Sequence, residues 1–116
     1  LPSGNLKWGK IMKICITSQG KDLESEIDPR FGRCKYFIFY DTETNQYEVV
    51  ENPWREAPKG AGTQAGQFVA SKGTKILITG NVGPGAEWVI ISAGIKIIEA
   101  KGKVIDAINK AKKEIE

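Results

Sequence analysis

In the stretch "DPRFGRCKYF", Asp28 to Phe37, one cysteine stands among three cations: Arg30, Arg33 and Lys35 flank Cys34. The thiolate is the metal-binding and nucleophilic form of cysteine, and neighbouring cations favour it. One pKa unit corresponds to about 1.4 kcal/mol of preference for the anion. A single well-placed guanidinium supplies that much through an effective dielectric of about 20. Lowering a thiol pKa of about 8.5 by one unit raises the thiolate share at pH 7 from roughly 3% to roughly 24%. Such a loop would hold something anionic and soft. The competing reading makes Cys34 a small apolar residue where a strand begins, with its charged neighbours in solvent. The Phe of the stretch, Phe31, looks exposed. Cys15, inside "KICIT", reads as a buried core thiol. The two cysteines lie 19 positions apart with no CxxC motif and no histidine in the chain, so they do not make a zinc site.

Two glycine-rich stretches offer anion chemistry of another kind. "KGAGTQAG" places Gly60, Gly62, Thr63 and Gly66 where a helix begins, and free N–H groups there favour anions. "GAGTQA" also fits a variant of the dinucleotide fingerprint, but about eight loop residues separate it from its strand, which is the wrong context. "TGNVGPGA", Thr79 to Ala86, is a tighter strand–turn–helix. Gly80, Gly83 and Gly85 there, with Asn81 between them, let a ligand approach the backbone or simply permit a tight turn. The stretch lacks the Lys-Ser/Thr of a P-loop. The acidic residues Asp22, Glu24, Glu26 and Asp28 read as a solvated run rather than a divalent-metal site. Without histidine the commonest general base is missing, and the central strand has no carboxylate for a two-metal centre. The chain is expected not to be an enzyme.

These stretches need elements to carry them. "KICIT" and "KILIT" are continuous apolar runs, the pattern of strands buried on both faces. "KYFIFYD" and "YEVVEN" form a hairpin around "TETNQ", and "IKIIEA" is a fifth strand. "QAGQFVASKG", "AEWVIISAG" and "KVIDAINKAKKEIE" read as helices, the last with Val104, Ile108, Ala111 and Ile115 on one stripe. The order β-β-β-α-β-α-β-α predicts helices on both faces of one mixed five-stranded sheet of order 3-2-1-4-5, with strand 2 antiparallel to the rest. Ligands of open α/β sheets bind beyond the carboxyl ends of the strands, near the switch in strand order. That geometry sends "DPRFGRC", "APKGAGTQAG" and "GNVGPGA" to one end. Trp88 reads as core, and Trp54 as either core or surface.

Size and charge set outer bounds. The chain of 116 residues fits one domain. Its net charge of +3 includes Lys7 and Lys10; without them 15 basic residues face 14 acidic ones. That is not the footprint of a nucleic-acid binder. "LPSGNLKWGKI", residues 1–11, reads as a disordered extension or tag before a single domain over residues 12–116. There is no apolar run of membrane-spanning length and no disulfide framework, so a cytoplasmic protein, monomeric or weakly dimeric, is expected.

Together, "MKICITSQGKDLESEIDPRFGRCKYF", "VVENP", "GAGTQAGQFVASKG" and "ITGNVGPGAEWVIISAGIKII" resemble the dinitrogenase iron-molybdenum cofactor-binding domain family, which includes NifX, NafY and the C-terminal part of NifB. The resemblance covers residues 12–116. It implies a ribonuclease H-like fold, three layers α/β/α, without nuclease activity. It implies a carrier for an iron-molybdenum cofactor or an iron-sulfur type of cluster, exchanging with a cluster-donating or cluster-accepting protein. By position the cargo residues are Arg30, Phe31, Gly32, Arg33, Cys34, Gly60, Gly62, Thr63, Gly80, Asn81 and Gly83, with Cys34 the metal ligand and Phe31 a shield against water. Two other classes remain open: a regulatory domain for a nucleotide or phosphate ligand, and a protein-interaction module without a cluster.

Overall fold

The computed structural model describes residues 12–115; the extension read at residues 1–11 lies outside them. Five strands, β1 (Lys13–Ser18), β2 (Tyr36–Asp41), β3 (Tyr47–Glu51), β4 (Thr74–Thr79) and β5 (Lys96–Glu99), form one sheet of order β3-β2-β1-β4-β5. Strand β2 runs antiparallel to β1 and β3, whereas β4 is parallel to β1 and β5. Three helices complete the chain: α1 (Ala61–Ser71), α2 (Pro84–Ser92) and α3 (Val104–Ile115). The expected topology is therefore the observed one.

Alternation along the strands divides the core into two layers. Ile14, Ile16, Ile38, Tyr40, Ile76 and Ile78 face α3, where they pack on Val104, Ile108 and Ala111. Those three helix residues recur at helical spacing, with Asp106 in the first turn and Lys112 and Lys113 in the last, where they suit the helix dipole. Cys15, Phe37, Phe39 and Leu77 face the other way, onto Ala65 and Val69 of α1 and Ala86 and Ile90 of α2. Phe31, Phe37, Phe39, Phe68 and Trp54 form a chain of ring contacts on this side, with centroids 5.7–6.3 Å apart. Trp54 thus resolves as a half-buried packing residue.

Two local readings change. Helix α1 starts at Ala61, three residues ahead of the expected start, so "AGT" after the cap Gly60 belongs to the helix rather than to a loop. Trp88 is not core: it is 73% exposed, as is 57% of Ile91 one turn later. Only Ala86 and Ile90 of α2 are fully buried, because the helix lies against α1 and the sheet along one narrow side. Helix α2 closes in a Schellman turn at Gly94 (φ 81°), with Gly94 N–H donating to the Ile91 carbonyl and Ile95 N–H to the Ile90 carbonyl. No helix among the described residues is long and apolar enough to cross a membrane.

Candidate functional site

The carboxyl ends of β1 and β4 meet at the switch in strand order, and threonines tie them to the loop of residues 28–35. Thr17 Oγ1 lies 2.7 Å from both the Asp28 carbonyl oxygen and Thr79 Oγ1. With one hydroxyl proton, Thr17 donates to the carbonyl and accepts from Thr79. Asp28 N–H donates back to the Thr17 carbonyl at 2.9 Å.

From this anchor the loop runs along the turn after β4 and onto the start of α1. Phe31 N–H donates to the Asn81 carbonyl at 3.2 Å, and Arg30 forms an isolated parallel bridge with Asn81. A Cβ at Gly80 would lie 2.5 Å from Pro29 Cα, and one at Gly32 would lie 2.7 Å from the Gly62 amide nitrogen. Both glycines let backbone pack on backbone. The two helix starts also touch: a Cβ at Gly62 would sit 3.1 Å from Ala86 Cβ, and one at Gly85 3.6 Å from Thr63 Oγ1. All three expected loops therefore reach one end of the sheet. Their glycines at 32, 62 and 80 serve chain packing, while Gly60 and Gly83 border open space.

Helices α1 and α2 are N-capped by Gly60 (φ 78°) and Gly83, and no side chain caps either one. The first turn of a helix carries N–H groups without intrahelical partners and the positive end of the dipole. Two such ends lie side by side here, with Thr63 exposed at the first.

The arginines are oriented by the protein. Asp28, almost fully buried, accepts Arg30 N–H at 3.1 Å and Arg30 Nε at 3.3 Å on Oδ1, and Lys35 N–H at 3.2 Å on Oδ2. Arg33 donates through Nη1 to the Ala57 carbonyl at 2.5 Å and the Arg55 carbonyl at 3.1 Å. Each guanidinium spends part of its fork on the fold and keeps further N–H donors. Asn52, also buried, braces the same loop through bonds to the Gly32 and Cys34 carbonyls. Asp28 and Asn52 were not among the expected site residues. Asp28 hid in an acidic run that reads as solvated; its signal is the spacing of an Asx turn, a carboxylate two residues ahead of the N–H it accepts.

Two expectations about this loop are corrected. Phe31 is 2% exposed and its ring meets Phe37, so it fills the core rather than shielding a cargo. Cys34 is fully buried in the same cluster. Burial pushes its thiol well above the ordinary value and the Asp28 carboxylate pushes it further; the Asn52 hydrogen bond and the Arg30 charge pull back without reversing this. Arg30 is engaged with Asp28 and Arg33 with carbonyls, so desolvation prevails and the folded loop holds a neutral thiol. Cys15 is likewise buried, with its thiol raised by desolvation. Among the described residues no group of three or more His, Cys, Asp or Glu is placed to share a metal ion. A cleft of about 390 Å³ lies beside the bridge, lined by Ile27, Pro29, Gly80, Asn81 and residues 99–101; of the expected site residues it takes in only Gly80 and Asn81.

Fold and site define a small three-layer α/β domain in which Arg30, Arg33 and two helix starts without side-chain caps gather at one end of the sheet. The match of residues 12–114 to the dinitrogenase iron-molybdenum cofactor model places the chain in that family. It is 31% identical over 100 residues to the uncharacterized protein MJ0580 of Methanocaldococcus jannaschii, across 84% of this chain and 81% of the relative. It is also similar to the apo form of the orange protein of Desulfovibrio gigas, with a TM-score of 0.83 and 34% identity over 90% of both chains. A Thermotoga protein described as a NifB candidate, TM1290, gives a TM-score of 0.77 and 40% identity over 89% of both chains. The family carries a cofactor-associated role for the chain.

Proposed function

We propose that the chain is a non-enzymatic cytoplasmic carrier that binds an anionic metal–sulfur cluster at this end of the sheet and passes it between partner proteins. One observation carries the reading: two helix starts without side-chain caps lie side by side, and a loop bearing Arg30 and Arg33 packs on the start of α1 and on the turn that leads into α2. Backbone N–H groups at a helix start and guanidinium forks are the donors that suit sulfide- or oxide-bearing anions. The cargo must bring its own metal ligands, since Cys34 is buried and neutral and no shared ligand group lies among the described residues. Binding is then by charge and hydrogen bonds rather than coordination, which makes release easy and suits a carrier. Family membership and likeness to a NifB candidate favour an iron-molybdenum or iron-sulfur type of cargo.

Anaerobic loading with thiomolybdate, and separately with iron and sulfide, tests the reading by metal analysis of the desalted protein. Wild type and Cys34→Ser should retain cargo alike. Arg33→Ala should bind roughly 10- to 100-fold more weakly, the loss of one charge-assisted contact of about 1.5–3 kcal/mol. The same donors would accept phosphate, so calorimetry with ATP and inorganic phosphate belongs in the same series. Tight nucleotide binding with no retained metal would replace the cluster reading by the regulatory-domain one.

A further inference from the structure

Asn52 lies buried just past β3, and its side chain is spent on its neighbours. Its Nδ2 donates to the Gly32 carbonyl and the Cys34 carbonyl, each at 3.0 Å. Its Oδ1 accepts Trp54 N–H at 2.9 Å, and its own N–H donates to the Lys35 carbonyl at 3.0 Å. These bonds tie residues 32–35 to Trp54, at the head of the segment that carries Arg55 and Ala57. Arg33 depends on both segments, because it sits between Gly32 and Cys34 in the chain and rests on the Arg55 and Ala57 carbonyls. Two donors and an acceptor on one short planar group are the property of Asn; Ser offers one donor and Asp none at neutral pH.

We propose that Asn52 is the positioning residue of this end of the molecule: a latch that fixes Arg33 and holds the loop shut over Cys34. The loop around Cys34 otherwise has few regular strand bonds, so removing the amide lets it open locally while the sheet stays intact.

The two free cysteines make this measurable in the full chain. Cys15 is buried inside β1, so its exposure should require global unfolding, whereas that of Cys34 should require only opening of the loop. The rate of reaction of each thiol with an aromatic disulfide reagent is read by peptide mass spectrometry. Asn52→Ala should accelerate Cys34 about tenfold or more, the consequence of losing buried hydrogen bonds, with Cys15 unchanged. Asn52→Asp keeps the acceptor for Trp54 N–H and loses both donors, so it should accelerate Cys34 as well. Equal acceleration of both thiols would overturn the latch and leave Asn52 a general fold residue. An unchanged Cys34, or an Asn52→Asp protein that behaves as wild type, would also overturn it. The positioning of Arg33 for cargo rests on the proposed function, and there Asn52→Ala should also weaken thiomolybdate binding. The thiol rates need no cargo, so a wild type that binds no thiomolybdate would sink the carrier reading and leave the latch to its own result.

Discussion

Helix α3 begins with its first amides bonded to a neighbouring loop, whereas α1 and α2 begin without a side-chain cap. Val104 N–H donates to the Ser25 carbonyl at 2.9 Å and Ile105 N–H to the Leu23 carbonyl at 2.8 Å, so the loop after β1 closes this helix start. Helices α1 and α2 begin at Gly60 and Gly83 with no side-chain cap, and the loop of residues 28–35 packs on the start of α1 and on the turn before α2. One side of the sheet is thus finished by its own chain. The other leaves two helix starts without side-chain caps, which on the proposed reading an anion would complete. On the proposed reading the difference separates stability from binding: the α3 side serves the fold, and the α1–α2 side would carry the site.

The largest break of that comparison is Ile108→Ala. Ile108, on α3, is fully buried against the sheet, and truncating it should cost about 2–5 kcal/mol in denaturant unfolding. Anion affinity of the folded fraction should be unchanged. A binding loss as large as that of Arg33→Ala would show that the two sides are not separable.

A smaller effect distinguishes the sides by pH. Both cysteines belong to the α1–α2 side, and both thiols are raised, mainly by burial. Above the ordinary thiol value of 9.0 the unfolded chain releases protons that the folded chain keeps. Stability contributed by the neutral thiols is therefore complete below that pH and falls as pH rises beyond it, by up to about 1.4 kcal/mol per unit and per thiol. Urea melts between pH 8 and 10 should show the decline, and Cys34→Ser should make it shallower. An identical slope in that variant would mean that the Cys34 thiol ionises in place.

The smallest effect is the sharpest. Gly83 has ordinary N-cap angles (φ −71°, ψ 163°), and a Cβ there meets open space. Gly83→Asp should therefore cap α2 and raise stability by a few tenths of a kcal/mol, while its carboxylate occupies the donors and repels an anion. Higher stability with weaker thiomolybdate binding is the expected pair. Higher stability with undiminished binding would remove α2 from the site.

The sheet was legible in the sequence because its cause is local: "KICIT" and "KILIT" are apolar on both sides, and only central strands bury both faces. The convergence of the three loops followed from that order. The glycine stretch was read as a helix start, but its first helical residue was placed three positions late, since Gly60 caps α1 by backbone angle alone, without the Ser, Thr, Asp or Asn that marks most helix starts. Nor was the inward turn of Phe31 and Cys34, which depends on a ring cluster built from β2 and α1. Charge in the neighbouring residues suggested an exposed thiolate, but Asp28 and the Arg55 and Ala57 carbonyls direct the guanidiniums elsewhere. Trp88 misled because α2 is apolar nearly all round, and sequence alone does not say which side the sheet takes.

The central claim is that an anionic cargo completes the α1 and α2 helix starts, and amide chemical shifts test it most directly. Anaerobic titration of thiomolybdate into the isotope-labelled chain should move the amides of Gly62, Thr63, Gly85 and Arg33 most, and those of Val104 and Ile105 least. Shifts centred on α3 or on the cleft at residues 99–101, or no saturable shifts at all, would contradict the account.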